Sequence, residues 1–255
     1  KISASNSDFD FVEYGPNAYP SLLYNAMVNP LVGLSMRGVI WYQGENNTNR
    51  AKEYYHLFPA MINDWRKKWG KDFPFYWVQL ANYMDAVEVP SESLRAQVRE
   101  AQTQTLSLSH TGQAVIIDIG EAKDIHPKNK QEVGRRLALH ALHNDYGFSD
   151  VVCESPMPKT VRRVQDKIAV QFDNVADGLI VKNKYGYLMS FAVAGNDGVY
   201  KWVQAKVAGK DRVVLSCPDV IDPVSVRYAW GDNPDDANLY NSVGLPATPF
   251  EIKIE

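Results

Sequence analysis

Up to about residue 150 the chain alternates short apolar runs with segments of helical period, and beyond it helical period gives way to short alternating runs. That order predicts strand–helix units on a parallel sheet, followed by an all-β part. "RGVIWY" (37–42) reads as the first strand. In "EYYHLFPAMINDWRKKW" (53–69), Tyr54, Leu57, Phe58, Met61, Ile62, Trp65 and Trp69 recur every three or four residues, as in a helix packed back on a sheet. Pro59 lacks an N–H and would bend that helix or delay its start. "FPFYWVQL" (73–80) predicts a second strand, 92–108 a helix carrying Leu94, Val98, Ala101 and Leu108, and "QAVIIDIG" (113–120) a further buried strand. A third helix, over about 129–146, turns Val133, Leu137, Ala138, Ala141 and Leu142 inward.

Past "DYGFSD" come "KIAVQF", "GLIVKN", "YLMSFAVAG", "YKWVQAKVAG", "RVVLSC", "SVRYAW" and "FEIKIE", separated by Gly, Asn and Asp. These predict an antiparallel β-sandwich or jelly-roll-like module over 151–255, with a domain boundary near residue 150. Neither part has an internal repeat or a low-complexity tract.

Composition narrows the function class. With 45% hydrophobic and 22% charged residues, the 255-residue chain is a folded protein rather than a disordered one. A net charge of −3 without a long basic run removes the electrostatic footprint of a nucleic-acid or membrane-surface binder. No apolar run approaches the roughly 20 residues of a membrane helix. Cys153 and Cys217 have no zinc-site spacing, and pairing and free thiols both remain open. The chain opens on "KISASNSDFDF", with neither a methionine nor a hydrophobic signal segment, which points to a processed or truncated polypeptide.

In an open parallel sheet, ligands bind beyond the carboxyl ends of the strands. The polar residues there are Gln43-Gly44-Glu45-Asn46 after the first strand, Gln79 and Asn82 after the second, and Gly120-Glu121 with "AKDIHPKNK" after the third. His126 follows Asp124 by two residues in the loop before the last helix. A general base belongs in such a place, its tautomer held by a carboxylate, although spacing alone also allows a loop-capping Asp124 beside a merely exposed His126. Gln43 suits an amide donor to a developing oxyanion, and Gly44 a close backbone approach; equally, the three residues form an ordinary capped turn.

Other residues weigh less. His140 and His143 fall on the polar side of the last helix and read as solvated surface rather than metal ligands. Trp65 and Trp69 lie on a core stripe and Trp41 inside a strand, which leaves Trp77, Trp202 or Trp230 to face a ligand. Ser35 in "GLSMR" lacks the second glycine and the strand–turn–helix setting of a nucleophile elbow.

Taken together, "LYNAMVNPL" leading into "RGVIWYQGENN", "VREAQ", "DIHPKNKQEVGRRLAL", "VRYAWGDNP" and "NLYNSVGLPATPF" resemble, in order and spacing, the C-terminal part of sialate O-acetylesterase-like proteins of the SGNH (flavodoxin-like) hydrolase group. The resemblance implies an α/β SGNH hydrolase sheet over 1–150, incomplete at its N-terminal side, and the β-module over 151–255. It implies a serine esterase acting on O-acetylated sugars, sialic acid or another glycan. His126 matches the family's catalytic base, Asp124 the acid just before it, and Gln43 the Gln-Gly-Glu motif of the oxyanion hole. Glu45, in the same motif, is an alternative carboxylate partner. No metal or organic cofactor is implied, and a glycan substrate implies a secreted or periplasmic setting.

One departure stands out: the family's Gly-Gln-Ser-Asn type nucleophile motif is absent from 1–255. Either the serine lies upstream of Lys1, which the abrupt start favours, or the chain is a serine-less, non-catalytic carbohydrate-binding or architectural relative.

Overall fold

The computed structural model describes Tyr19 and residues 21–255, so the opening "KISASNSDFDF" lies outside the described residues. Strands β1 (Val39–Trp41), β2 (Phe75–Val78) and β3 (Thr111–Ala114) are parallel and hydrogen-bonded in that order. Between and after them run α1 (Ala51–Trp69), α2 (Leu94–Gln104) and α3 (Lys130–Asp145).

All four residues of β2 are buried, because helices cover both faces of a central parallel strand. Strand alternation sends Phe75 and Trp77 into a core with Phe58 and Ile62 of α1 and Val98 of α2. Tyr76 and Val78 point the other way, to Val133 and Leu137 of α3. Pro59 neither delays nor interrupts α1, which starts at Ala51 and continues through it to an αL cap at Gly70. Ser93 caps α2, its hydroxyl accepting from Ala96 N–H at 2.9 Å.

Several inward positions differ from the periodicity. Leu57 and Leu94 are exposed, and so is Ala138, while Arg136 and His140 take the inward face of α3. His140 is therefore fully buried, not solvated as its polarity suggests; Val133, Arg136, Leu137 and His140 form one helical stripe in which two polar residues stand. Strand β3 also ends earlier than its apolar run: Val115 and Ile117 leave the ladder and enter the core of the β-part, while Ile116 stays with α3.

The β-part is built from antiparallel strands. One four-stranded sheet has the order β4 (Met157–Val164), β5 (Lys167–Asp173), β10 (Arg212–Ser216), β9 (Gln204–Val207). The other runs β13 (Phe250–Lys253), β11 (Ser225–Tyr228), β7 (Phe191–Ala194), β8 (Tyr200–Trp202), and β6 (Leu179–Val181) pairs separately with β12 (Leu239–Asn241). Val161, Val170 and Leu215 of the first sheet share a core with Phe191, Val226 and Phe250 of the second. The single run "YKWVQAKVAG" crosses between them, giving β8 to one sheet and β9 to the other. Strand β4 escapes sequence patterning because Pro158, Lys159, Arg162 and Arg163 interrupt its apolar alternation, as suits an edge strand.

Buried arginines tie the β-part to the helices. Arg99 of α2, with no exposure, donates to the carbonyls of Leu80 and Ala81 after β2 and of Gly231 and Asp232 after β11. Arg136 of α3 grips both oxygens of Asp118 at 2.6 and 2.9 Å, and the Tyr240 hydroxyl of β12 donates to the same carboxylate at 3.3 Å. Cys153 and Cys217 are free buried thiols.

Candidate active site

The segment Tyr42-Gln43-Gly44-Glu45 leaves the carboxyl end of β1 and turns sharply. Gly44 is buried with φ of 149°, and a Cβ there would lie 3.3 Å from Gln102 Nε2, so glycine is the residue that makes the turn. Buried Gln102 of α2 holds the bend from beneath: its Nε2 donates to the carbonyls of Gln43 (3.3 Å) and Val78 (3.4 Å), and its Oε1 accepts from Leu80 N–H (2.9 Å). Glu45 opens a short 3₁₀ turn that leads into α1.

Beyond β3 the chain passes Gly120 and forms a small bridge between Glu121 and Asp124. Asp124 Oδ1 accepts from the backbone N–H of His126 at 2.9 Å, an Asx-type turn that presents the imidazole outward. Nδ1 of that ring stands 3.6 Å from the same oxygen, within ion-pair reach but beyond a hydrogen bond, and the side chain is 87% exposed. Asn129 then caps α3.

These two segments meet. Tyr42, Glu45, Ile125, His126, Pro127 and Lys130 line a recess of about 290 Å³. Lys130 Nζ lies 4.6 Å from the centre of the Tyr42 ring. Burial, and then the Glu45 charge, pushes the Tyr42 hydroxyl up to about 12, so it is a neutral donor near neutral pH.

Of the residues singled out from sequence, Glu45 and His126 share this recess and Asp124 stands directly behind the imidazole. Gln43 does not line it. Its Nε2 donates to Asn47 Oδ1 at 2.7 Å, and its Oε1 accepts from the Tyr54 hydroxyl at 3.2 Å. Gln79 and Asn82 are buried: Gln79 bonds Thr103 of α2, while Asn82 joins Gly120 N–H to Asn233 of the β-part. Ser35 is exposed and outside the recess. Trp77 is wholly buried, Trp230 nearly so, and Trp202 is half exposed with its indole N–H on the Glu88 carbonyl. Sequence reasoning gave no role to Tyr42 or Gln102 and named Lys130 only within the run "AKDIHPKNK". The available signal was the buried face of α2, where Arg95, Arg99 and Gln102 recur at helical spacing: polar groups on a helix's inner face have backbone to hold.

A family model described as carbohydrate esterase, sialic acid-specific acetylesterase matches residues 10–143, just over half of the chain. The chain belongs to this family. Among relatives of the sialic acid-specific acetylesterase family, it is 31% identical over 278 residues to sialate O-acetylesterase of Rattus norvegicus, an alignment covering 96% of this chain and 50% of the rat protein. Against the human sialate O-acetylesterase the identity is 31% over 264 residues, with 92% and 49% covered. This chain thus spans about half the length of these relatives. The crystal structure of a carbohydrate acetylesterase from Xanthomonas citri superposes with a TM-score of 0.87 at 43% identity, covering 94% of this chain and 56% of that one.

Proposed function

We propose that this chain carries the base, its acid and part of the oxyanion hole of a serine esterase that removes O-acetyl groups from carbohydrate, sialic acid or another glycan. The observation that carries the reading is the outward imidazole of His126, backed by Asp124 and sharing a recess with Glu45 beyond the end of β1. Family membership supplies the ester chemistry.

In this reading a serine hydroxyl attacks the acetyl carbonyl while His126 Nε2 takes its proton; Asp124 faces Nδ1, which leaves Nε2 to the nucleophile. The imidazolium then protonates the departing sugar oxygen, leaving an acetyl-serine. Water, losing its proton to the same imidazole, attacks that ester and releases acetate and the free serine. Gln43 lies outside the recess, and its assignment to the oxyanion rests on the family's Gln-Gly-Glu motif; Nε2 carries two hydrogens, of which Asn47 takes one and the other is left to donate. The route needs no metal or organic cofactor.

The nucleophilic serine is assigned to a segment preceding Lys1. Supporting this, no serine is among the described residues that line the recess, and the related sialate O-acetylesterases are about twice as long as this chain. Among the described residues β1 pairs only with β2, and Ile40 is 72% exposed on this edge strand, so a further strand has a place to pair. The parallel β1–β2–β3 sheet with helices on both faces supports an SGNH (flavodoxin-like) hydrolase domain over 1–150. The common core of the two antiparallel sheets supports a β-sandwich module over 151–255 that buttresses it without activity of its own. A glycan substrate favours a secreted or periplasmic setting.

A serine-reactive fluorophosphonate tests the assignment on residues 1–255 and on the longer protein in parallel. Expected are no labelling of 1–255 and stoichiometric labelling of the longer protein at a serine outside it, with loss of acetyl-sugar hydrolysis. Labelling within 1–255 with loss of esterase activity would move the nucleophile into this chain. No labelling and no acetate release from either would favour the carbohydrate-binding alternative.

A further inference from the structure

No residue of the recess takes part in a second cluster, formed by His140, Cys153 and Glu154. His140, on the inner face of α3, has no exposed surface. Its Nε2 lies 3.0 Å from the Gln113 carbonyl of β3, a contact that requires the ring hydrogen on Nε2 and leaves Nδ1 with a bare lone pair. The ring stacks on Tyr76 of β2 at 5.5 Å, and a Cβ on Gly112 would come within 2.5 Å of Nδ1, so glycine on β3 is what lets the imidazole stand there. Nδ1 is buried without a hydrogen-bond partner. Such a group is costly unless something occupies its lone pair.

What faces it is a pair of metal-ligating groups on the segment between α3 and β4. Glu154 Oε1 is 3.7 Å from Nδ1, and one ring nitrogen of His140, Cys153 Sγ and a Glu154 carboxylate oxygen all lie within 4.8 Å of one another. Metal–donor bonds of roughly 2.0–2.3 Å in a tetrahedron separate neighbouring donors by about 3.3–3.8 Å, so the observed His140–Glu154 spacing already fits. The bond from Nε2 to a backbone carbonyl is also the outer contact that ligating histidines make.

We propose that His140 Nδ1, Cys153 Sγ and Glu154 bind a divalent d-block cation, zinc by the match of its tetrahedral preference to mixed N, S and O donors, with water as fourth ligand. Cysteine ligates as the thiolate, and the Nε2 contact already leaves His140 Nδ1 as a bare lone pair. Binding therefore displaces one proton, from sulfur, and leaves the imidazole as it is. The ion would pin the connecting segment at 153–154 to α3, a stabilising role separate from ester hydrolysis.

The test uses untagged, chelator-stripped full chain, titrated with Zn²⁺ against a chromophoric chelator and, separately, with Co²⁺. Expected are one equivalent bound and a sulfur-to-cobalt charge-transfer band. Cys153→Ser should abolish the band and weaken zinc by more than the roughly 10–100-fold that loss of an outer contact costs. Glu154→Gln should also weaken it, and His126→Ala should bind as the parent does. His140 is buried and its replacement risks the fold, so the two ligand variants decide, with near-ultraviolet circular dichroism checking that each is folded. Less than one equivalent in the parent, unchanged affinity in Cys153→Ser, or loss of binding in His126→Ala would overturn the site.

Discussion

Asp124 Oδ1 serves His126 twice: it accepts the backbone N–H at 2.9 Å and stands 3.6 Å from Nδ1 of the ring. One carboxylate thus shapes the loop and offers charge to the imidazole it presents. Asn at position 124 keeps the acceptor and removes the charge. A unit charge at this distance in a water-like surrounding is worth about 1 kcal/mol, so Asp124→Asn should lower kcat for acetyl-ester hydrolysis by about fivefold at unchanged Tm, whereas Asp124→Ala should lower both. Unaltered kcat in Asp124→Asn would pass the partner role to Glu45.

His126 itself is nearly free of the fold. Its replacement by alanine in the complete protein should leave Tm within a degree or two, while loss of a general base costs about 10²–10⁴ in turnover. Near-parental kcat on 4-nitrophenyl acetate would remove it from the mechanism.

Gln43 is held by Asn47 and Tyr54, so removal of its amide loses two anchoring bonds as well as the proposed oxyanion donor. Gln43→Ala should raise the barrier by about 2.7–4 kcal/mol, read as a fall in kcat with little change in KM. Glu45→Gln should leave more activity, since its carboxylate lines the recess without bonding the imidazole. A Gln43→Ala variant that melts lower yet turns over normally would restrict this residue to shaping the loop.

Gly44→Ala forces a Cβ against Gln102 at a φ that side chains rarely adopt. Strain of this kind costs about 1–3 kcal/mol. Urea unfolding should report that loss, with kcat falling too because the turn carries Gln43 and Glu45; a midpoint equal to the parent's would show that the bend tolerates a side chain.

Glu132 binds Arg135 and Arg136, and these contacts, Arg135 foremost, hold its carboxyl down to about 2 from the usual 4.5. A depressed acid contributes stability above its unfolded pKa and loses it as pH falls towards the folded value. The contribution should be whole at pH 6 and diminish below about 4.5. Glu132→Gln should therefore narrow the gap in unfolding free energy between pH 6 and pH 3. An equal gap in both proteins would assign the acid sensitivity to other carboxylates.

Periodicity in the sequence is a local property, and it determined what local forces decide: the strand ending at Trp41, the helices through Ile62, Val98 and Leu137, and most strands after residue 157. The places of the loop motifs were equally legible, because Gln43-Gly44-Glu45 and Asp124-Ile125-His126 follow the carboxyl ends of parallel strands. Tertiary structure alone decided which residues those motifs meet. Tyr42 and Lys130 joined the recess from a strand end and a helix start that no sequence spacing relates. The run at 200–209 divided between two sheets because each half found a different hydrogen-bonding neighbour, and Val115 and Ile117 left β3 because the β-part offered them a core. His140 is the clearest case. Its polarity argued for solvent, yet it occupies the inward stripe of α3 set by Val133 and Leu137, where Gly112 clears its space and a backbone carbonyl holds its ring; burial belongs to a position in the packed molecule, not to a residue type.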